Sequence, residues 1–510
     1  MSSFFKDRNR EIIPRWRSFD VTQRIGELTS SSLSLPYRIY SEKPLHKRVR
    51  DWQEHQSLHF ATDLLSEAFI AGKGELAVDA AEFVLQHPRS SKAARHIAQR
   101  VLAPDKETTG SELLIKVSTK VSMAEEYGLE IHSLRQRLYN EPRNAILYVD
   151  IARYYTILGQ IEKAKKMMNV ALQITNNNRF VVRSAVRLYL HLHDLGHAAR
   201  ILRSADNTAI DPWLLSADIS VAALMGRLSK HVKSGIRMVN DAAYHPRQIS
   251  ELASALATLE FKHGASKKSR KLFARALVDP TENSVAQAAW VDRNGMTLNL
   301  GQDLSLIHRS HEAQAYKNFF ECEWDESVNE ALSWLADQPF SGRPATLAAY
   351  ICHTLIDDYD KGAEILKRAL QSNPGEAAVL NDLVFALASG DKLKEANKAF
   401  NSIDRNTVGP GLQITLKATE GLLHFRQGDP DYGRSLYLEA IQEARREGLK
   451  ERAALASLML LREDLRLNSN YIDNSLELAD RLVSDMNRRP DFSELFKRFT
   501  NAAKNRKERD

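Results

Sequence analysis

The chain has 510 residues, of which 43% are hydrophobic and 27% charged, and Lys and Arg outnumber Asp and Glu by 71 to 65. That balance belongs to an ordered chain with a large core; it excludes a low-complexity chain, and no apolar run approaches the ~20 residues that span a bilayer. Two cysteines, Cys322 and Cys352, exclude a disulfide framework, so reduced thiols and a cytoplasmic location are expected.

Glycine (22) and proline (15) are scarce and fall mostly between apolar segments, which favours helices over strands. Residues 1–54 read as a basic extension and linker. The first fifty residues hold eleven Lys/Arg against five Asp/Glu, a surplus equal to the whole chain's +6, so the remainder is neutral. The start, MSSFFKDRNREIIPRWR, carries charges where a secretory leader needs an apolar run. TSSSLSLPYRIYSEKP reads as extended linker. Within IIPRWRSF, the isolated Trp16 and Phe19 need somewhere to bury, in this chain's own helices or in another chain.

Residues 55–142 read as divergent helical hairpins starting at Ser57 and Ser111. Residues 143–205 and 250–280 carry a regular repeat, separated by a degenerate helical stretch, 206–249. An irregular helical segment, 281–342, leads into a second regular array, 343–480. Breaks are expected near 206–245 and 281–312. Residues 481–510 read as a final amphipathic helix with a basic tail.

The regular stretches share one register. Counting from Ala145, positions 8, 15, 20, 24 and 27 are Ala152, Gly159, Ala164, Met168 and Ala171; from Arg179, 34 residues on, Val186, Ala198, Leu202 and Ala205 fall in phase. The pattern returns from Ser250 (Gly264, Ser269, Phe273, Ala276), Arg343 (Gly362, Leu366, Ala369), Ala377 (Ala396, Phe400) and Ile414 (Gly428, Gly433, Tyr437, Ala440). Position 20 is small and position 24 large in all six units. Two helices joined by a tight turn explain this: small residues let the helices cross closely, and large ones fill the space beside the crossing.

This register resembles the tetratricopeptide repeat, a helical hairpin of about 34 residues. The resemblance implies an all-α fold, a right-handed α-solenoid of stacked hairpins with irregular breaks, whose first helices line a concave groove. In that family, ligands usually meet positions 2, 5, 9, 12 and 13. Here those are Ile146, Val149, Arg153, Thr156 and Ile157 in one unit, and Phe180, Arg183, Arg187, Leu190 and His191 in the next. Arg153, Arg183, Arg187 and His191 are therefore the expected partner-binding residues. Their guanidinium forks suit carboxylate or phosphate, which points to a protein or peptide partner with acidic groups. The Lys and Asn of the family's chaperone-binding carboxylate clamp are missing from these positions. The competing reading leaves the arginines solvated or pairs them with acids such as Asp150 and Glu162. Later units present apolar groove residues, Leu347, Ile351, Phe385, Leu422 and Phe425.

Signs of chemistry are sparse. No phosphate-binding GxxxxGK[ST], GxGxxG, HExxH or GxSxG motif occurs, and neither a cofactor nor a catalytic residue is expected. HLHDLGH offers His191, His193, Asp194 and His197, but the repeat register puts His193 and Asp194 in a turn rather than on one metal-binding face. HRSHE (His308, His311, Glu312) sits in the irregular segment. The leading expectation is a non-catalytic scaffold or adaptor that holds a partner's segment in its groove. A peptide- or signal-sensing regulator hinged at the breaks is the alternative, with nucleic-acid binding through the basic ends a weaker third.

Overall fold

The computed structural model describes residues 10–19, 43–70, 73–88, 90, 92–102, 123–241, 243–298, 307–486 and 489–507. Among them every regular element is helical and there is no strand. The chain divides into two compact units, Phe19–Val117 and Met1–Ser18 with Ser118–Asp510.

In the smaller unit the helices Lys43–Glu54, Leu58–Ile70, Val78–Gln86 and Lys92–Leu102 enclose Leu45, Trp52, Leu64, Leu65, Val84 and Ala98. Trp52 meets the Phe83 ring edge-on, with centroids 5.2 Å apart. The helices Leu58–Ile70 and Val78–Gln86 lie where the unit from Ser57 is expected. The start of the unit expected from Ser111 lies outside the described residues.

The larger unit is an all-helical stack of antiparallel hairpins. Its first two regular hairpins pair Ala145–Ile157 with Ile161–Ile174 and Arg179–His191 with Leu195–Ser204. The segments expected to break the array are themselves helical over Pro212–Leu224, Val232–Asn240 and Glu282–Arg293. The small residues at position 20 sit between helices: Ala164, Ala198, Ser269 and Ala396 are wholly buried, and Gly362 and Gly433 are buried beside them. The large residues at position 24, including Met168, Leu202, Phe273 and Leu366, are equally closed off from solvent.

Position 15 explains the turns. Gly159, Gly264 and Gly428 take positive φ there, and so do His193, Asp357 and Asp391 in the units that lack glycine. The left-handed residue lets the next N–H reach back to close the helix end, as in Gln160 N–H to the Tyr155 carbonyl (2.8 Å) and Asp194 N–H to the Tyr189 carbonyl (2.9 Å). Asp194, Asp358 and Asp429 then cap the second helix with their side chains.

The stack curls back on itself. Phe340, just beyond the helix Trp324–Asp337, joins the core built from residues 145–221. A Cβ on Gly159 would stand 2.4 Å from the Gln371 carbonyl oxygen, so the turn of one hairpin presses against the tail of another some two hundred residues later. The solenoid therefore encloses a channel lined by first helices.

Candidate functional site

Residues 10–18 run through that channel as an extended strip. The sequence EIIPRWR forbids a helix here, since Pro14 restricts the residue before it and removes a donor. Ile12 and Trp16 are both 0% exposed. Ile12 packs with Leu215, Ile219, Ile249 and Leu252 on two first helices, while Trp16 enters the core around Ala145–Val221 and meets the Phe340 ring at 5.4 Å.

The polar groups of the strip are matched one by one. Arg10 donates through Nε and Nη2 to the Glu312 carboxylate, both at 2.9 Å, and also reaches Asn283 (3.1 Å) and Gln287. Gln287 Nε2 returns a bond to the Arg10 carbonyl (3.0 Å), and Asn283 Nδ2 donates to the Ile13 carbonyl (2.9 Å). Arg17 forks onto Asp337 (2.5 and 2.8 Å) and reaches Glu282 (2.8 Å). Glu11 pairs with Lys262, and Arg15 with Glu312. Asn283, Gln287 and Glu312 all stand on first helices, Glu282–Arg293 and His311–Phe320, which places the strip along the concave face.

Electrostatics reinforce the grip. Burial alone would raise the Glu312 carboxyl, but Arg10, Arg343 and Arg15 together hold it well below the usual carboxylate range. Glu282 is likewise held low against its burial, by Arg17 and Arg15. Losing one member of such a buried set leaves charges uncompensated, at a cost of roughly 3–5 kcal/mol.

The structure brings Arg187 and His191 together and sets Arg153 and Arg183 apart. Arg187 lies over the Phe340 ring at 4.8 Å, and His191 meets the edge of the same ring at 5.5 Å. Burial, helped by Arg187, pushes the His191 imidazole down to about 3, so it is neutral. Arg153 is buried and donates to the Trp16 carbonyl at 3.4 Å, touching the strip's main chain rather than an acid. Arg183 is paired with Glu251 at 2.9 Å and covers the Trp213 ring.

The residues that read the strip, Glu312, Asn283, Gln287 and Asp337, escape the tetratricopeptide register because they lie in the irregular segment. One signal was available: ENSVAQAAW puts Asn283 and Gln287 four apart on an otherwise small and apolar helix face, a spacing that aims two amides the same way. Of the histidine groups, His193 occupies a turn at φ 58°, His197 stacks on Tyr189 at 4.0 Å, and His311 contacts Glu330 at 2.8 Å. Among the described residues no group of His, Cys, Asp or Glu is arranged to hold a metal ion. Cys352 is buried, which pushes its thiol up to about 12. No described helix is long and apolar enough to cross a membrane.

No protein-family model matches the chain, and no curated protein does. Among solved structures the chain is similar to one from the Cut9–Hcn1 hetero-tetramer of the APC/C, with 12% identity over 89% of this chain and 92% of that one, at a TM-score of 0.37. It is similar to human IFIT1, solved as a dimer with PPP-AAAA (13% identity, 91% and 94% coverage, TM-score 0.31). It is also similar to yeast Tom70 (13% identity, 78% and 95% coverage, TM-score 0.30).

Proposed function

We infer that this chain is a non-catalytic scaffold or adaptor whose channel holds an extended segment of a partner protein and so assembles or regulates a complex. What carries the reading is the treatment of residues 10–18: a nine-residue strip gripped through its carbonyls at Arg10, Ile13 and Trp16 and through its side chains at Arg10, Arg15, Trp16 and Arg17. A groove that reads an extended chain in both ways is a peptide-recognition surface. In the structure its occupant is the chain's own N-terminal segment.

The wall acids Glu282, Glu312 and Asp337 set the chemistry of a competing segment. It would carry arginines flanking an aromatic residue, as residues 15–17 do. A continuous phosphate backbone would meet those same carboxylates, which disfavours a nucleic-acid track. The self-occupied channel also supports the signal-sensing alternative, since any partner must first displace the strip.

The test uses the full-length protein and a fluorescein-labelled peptide of residues 8–20. Wild-type protein should bind the peptide weakly, because the tethered copy competes at high effective concentration. An Arg10→Glu variant, whose own strip is repelled by Glu312, should bind it at least tenfold more tightly. Equal, negligible binding by both proteins would refute the channel as a peptide site.

A further inference from the structure

Four successive hairpins between Ala145 and Ala276 end in the second helices Ile161–Ile174, Leu195–Ser204, Val232–Asn240 and Ser266–Ala276. Each buries a small residue against its neighbours: Ala164, Ala198, Gly235 and Ser269. Gly235 fills this place where the register lapses; a Cβ there would stand 3.3 Å from Leu252 and 3.5 Å from Ile219. Two residues further along a helix is about 200° around it, so the side chain there points away from the crossing. Those residues are Lys166, Arg200, Arg237 and Lys271, and all four are exposed. The hairpins are joined in order by Asn207 to the Asn177 carbonyl (2.8 Å), Arg179 to Asp211 (2.6 Å) and Arg275 to the Val239 carbonyl (3.0 Å). The outer face therefore carries a row of cations, one per hairpin.

Acids do not balance the row. The four helices hold twelve Lys and Arg and a single acid, Glu162, which pairs with Lys165 at 2.8 Å. Asp194, Asp206, Asp241 and Asp279 lie in turns at the helix ends. Among the described residues none of the four cations of the row is in an ion pair; Arg200 bonds His197, and Arg237 bonds Ser234, each three residues earlier on its own helix. The second array differs. Its second helices Trp324–Asp337, Tyr359–Ser372, Leu393–Asn401, Pro430–Arg446 and Ile472–Val483 hold thirteen acids against nine Lys and Arg. Two residues beyond Gly362, Ala396 and Gly433 stand Glu364, Lys398 and Ser435. Crowding like charges works against a compact fold, so folding does not account for the row.

We propose that this row is a docking surface for the phosphate backbone of a nucleic-acid duplex. Packed helices lie about 8–10 Å apart, so three steps cover roughly 25–30 Å, the length of about eight base pairs. A backbone offers charge all along that line, whatever its sequence. The only aromatic residue on the four helices, Phe273, is buried, so no ring is presented to stack unpaired bases, which favours a duplex over a single strand. No large apolar residue on these helices is exposed, so the face has nothing to insert into a bilayer and no anchor for an acidic peptide. The surface goes beyond the scaffold reading, because it uses the outer face and stands whether or not a peptide enters the channel.

The experiment is fluorescence anisotropy of a labelled DNA duplex of about 20 base pairs, titrated with the full chain. Wild-type protein should bind it with roughly micromolar affinity at about 50 mM salt and lose about a hundredfold by about 200 mM, as four released counterions require. Arg237→Glu/Lys271→Glu should weaken binding at least tenfold and flatten the salt slope by about two. Lys166→Glu/Arg200→Glu, on the other two hairpins, should do the same, so either pair decides if the other fails to fold. Lys394→Glu/Lys398→Glu, an equal change of charge on the second array, should alter binding less than about threefold. Absence of salt-dependent binding by wild type overturns the surface. Undiminished binding by both reversed pairs also overturns it, and moves the contact to the basic ends. Vesicles of about 30% phosphatidylserine in phosphatidylcholine, and polyglutamate, are the competing arms. Tighter binding of either than of the duplex, lost in the same variants, gives the row to a membrane or an acidic protein and overturns the duplex.

Discussion

Ser372 donates its hydroxyl to the carbonyl of Ile157, 215 residues earlier in the chain, at 2.7 Å. Both groups are buried, so this bond joins two hairpins that sequence order keeps far apart, and it sits beside the point where Gly159 meets Gln371. The closure of the channel rests on this seam. Gly159→Ala would add a methyl 2.4 Å from a backbone oxygen at φ +69°, whereas Gly264→Ala at φ +77° meets nothing within 4 Å. The second change should cost only the left-handed penalty, about 1 kcal/mol. The first should cost about 2–3 kcal/mol more and force the seam apart. Small-angle scattering should therefore show a larger radius of gyration for Gly159→Ala and none for Gly264→Ala.

Glu312 is the pivot of the strip. Replacing it with Gln keeps the shape but removes the carboxylate that Arg10, Arg15 and Arg343 share. The expected loss is about 3 kcal/mol, concentrated in residues 10–18 rather than in the helices. Trypsin reads this directly, because cleavage after Arg15 and Arg17 needs the strip to leave the channel. If opening is fast relative to cleavage, that energy corresponds to roughly a hundredfold faster removal of the N-terminus. An unchanged cleavage rate would mean that Glu312 does not hold the strip.

How much of this is legible in the sequence depends on the range over which each cause acts. The hairpins are local: Ala164, Met168 and Ala171 pack against a helix fewer than thirty residues away, so the repeat register exposes them. Turn residues are half legible. Glycine announces a positive φ at Gly159, but His193, Asp357 and Asp391 adopt it without any signal beyond their place in the register. The register also assigns Arg153, Arg183, Arg187 and His191 to first helices, but it says nothing of what they meet. Their partners could not. Glu251 lies 68 residues from Arg183, and Trp16 lies 137 from Arg153. Charge counting saw only a basic N-terminus; that its arginines are spent on Glu312, Glu282 and Asp337 follows from the curl of the stack, and no local pattern encodes the curl.

His191 gives the channel an acid-sensitive element. Its folded value of about 3 lies below the ordinary 6.5, because burial and Arg187 disfavour the imidazolium despite an opposing hydrogen bond at Ser372. A depressed value means the stabilisation is complete above about 6.5 and is lost as pH falls from there toward 3. Between pH 7.5 and 5.5 the loss through this residue should reach about 1 kcal/mol. Hydrogen exchange of the helix Arg179–His191, corrected for intrinsic rates, should speed up several-fold over that interval and do so less in His191→Gln. His353, buried and also held low by its burial, adds a second acid-sensitive point that the variant leaves intact. Identical pH profiles for wild type and variant would show that His191 is not held neutral.

A close helix crossing in the second array makes the packing argument testable far from the channel. A Cβ on Gly433 would stand 2.7 Å from the Gly421 carbonyl oxygen, and one on Gly421 would stand 2.8 Å from the Gly433 carbonyl oxygen. The helices Pro410–Gln427 and Pro430–Arg446 thus touch backbone to backbone, with Phe425 and Tyr437 closing the space on either side. Neither neighbour can yield cheaply, since the Gly421 carbonyl oxygen and the Phe425 nitrogen (2.9 Å) are main chain and the Phe425 ring (2.7 Å) is buried. Gly433→Ala should therefore cost about 1–3 kcal/mol even though alanine is the better helix former. This hairpin packs within the core of residues 315–503, away from the core built around residues 145–221, so the damage should stay near residues 410–446. Exchange protection should fall there while the hairpins Ala145–Ile157 and Ile161–Ile174 keep theirs. A uniform loss across the chain would contradict a stack of separately packed hairpins.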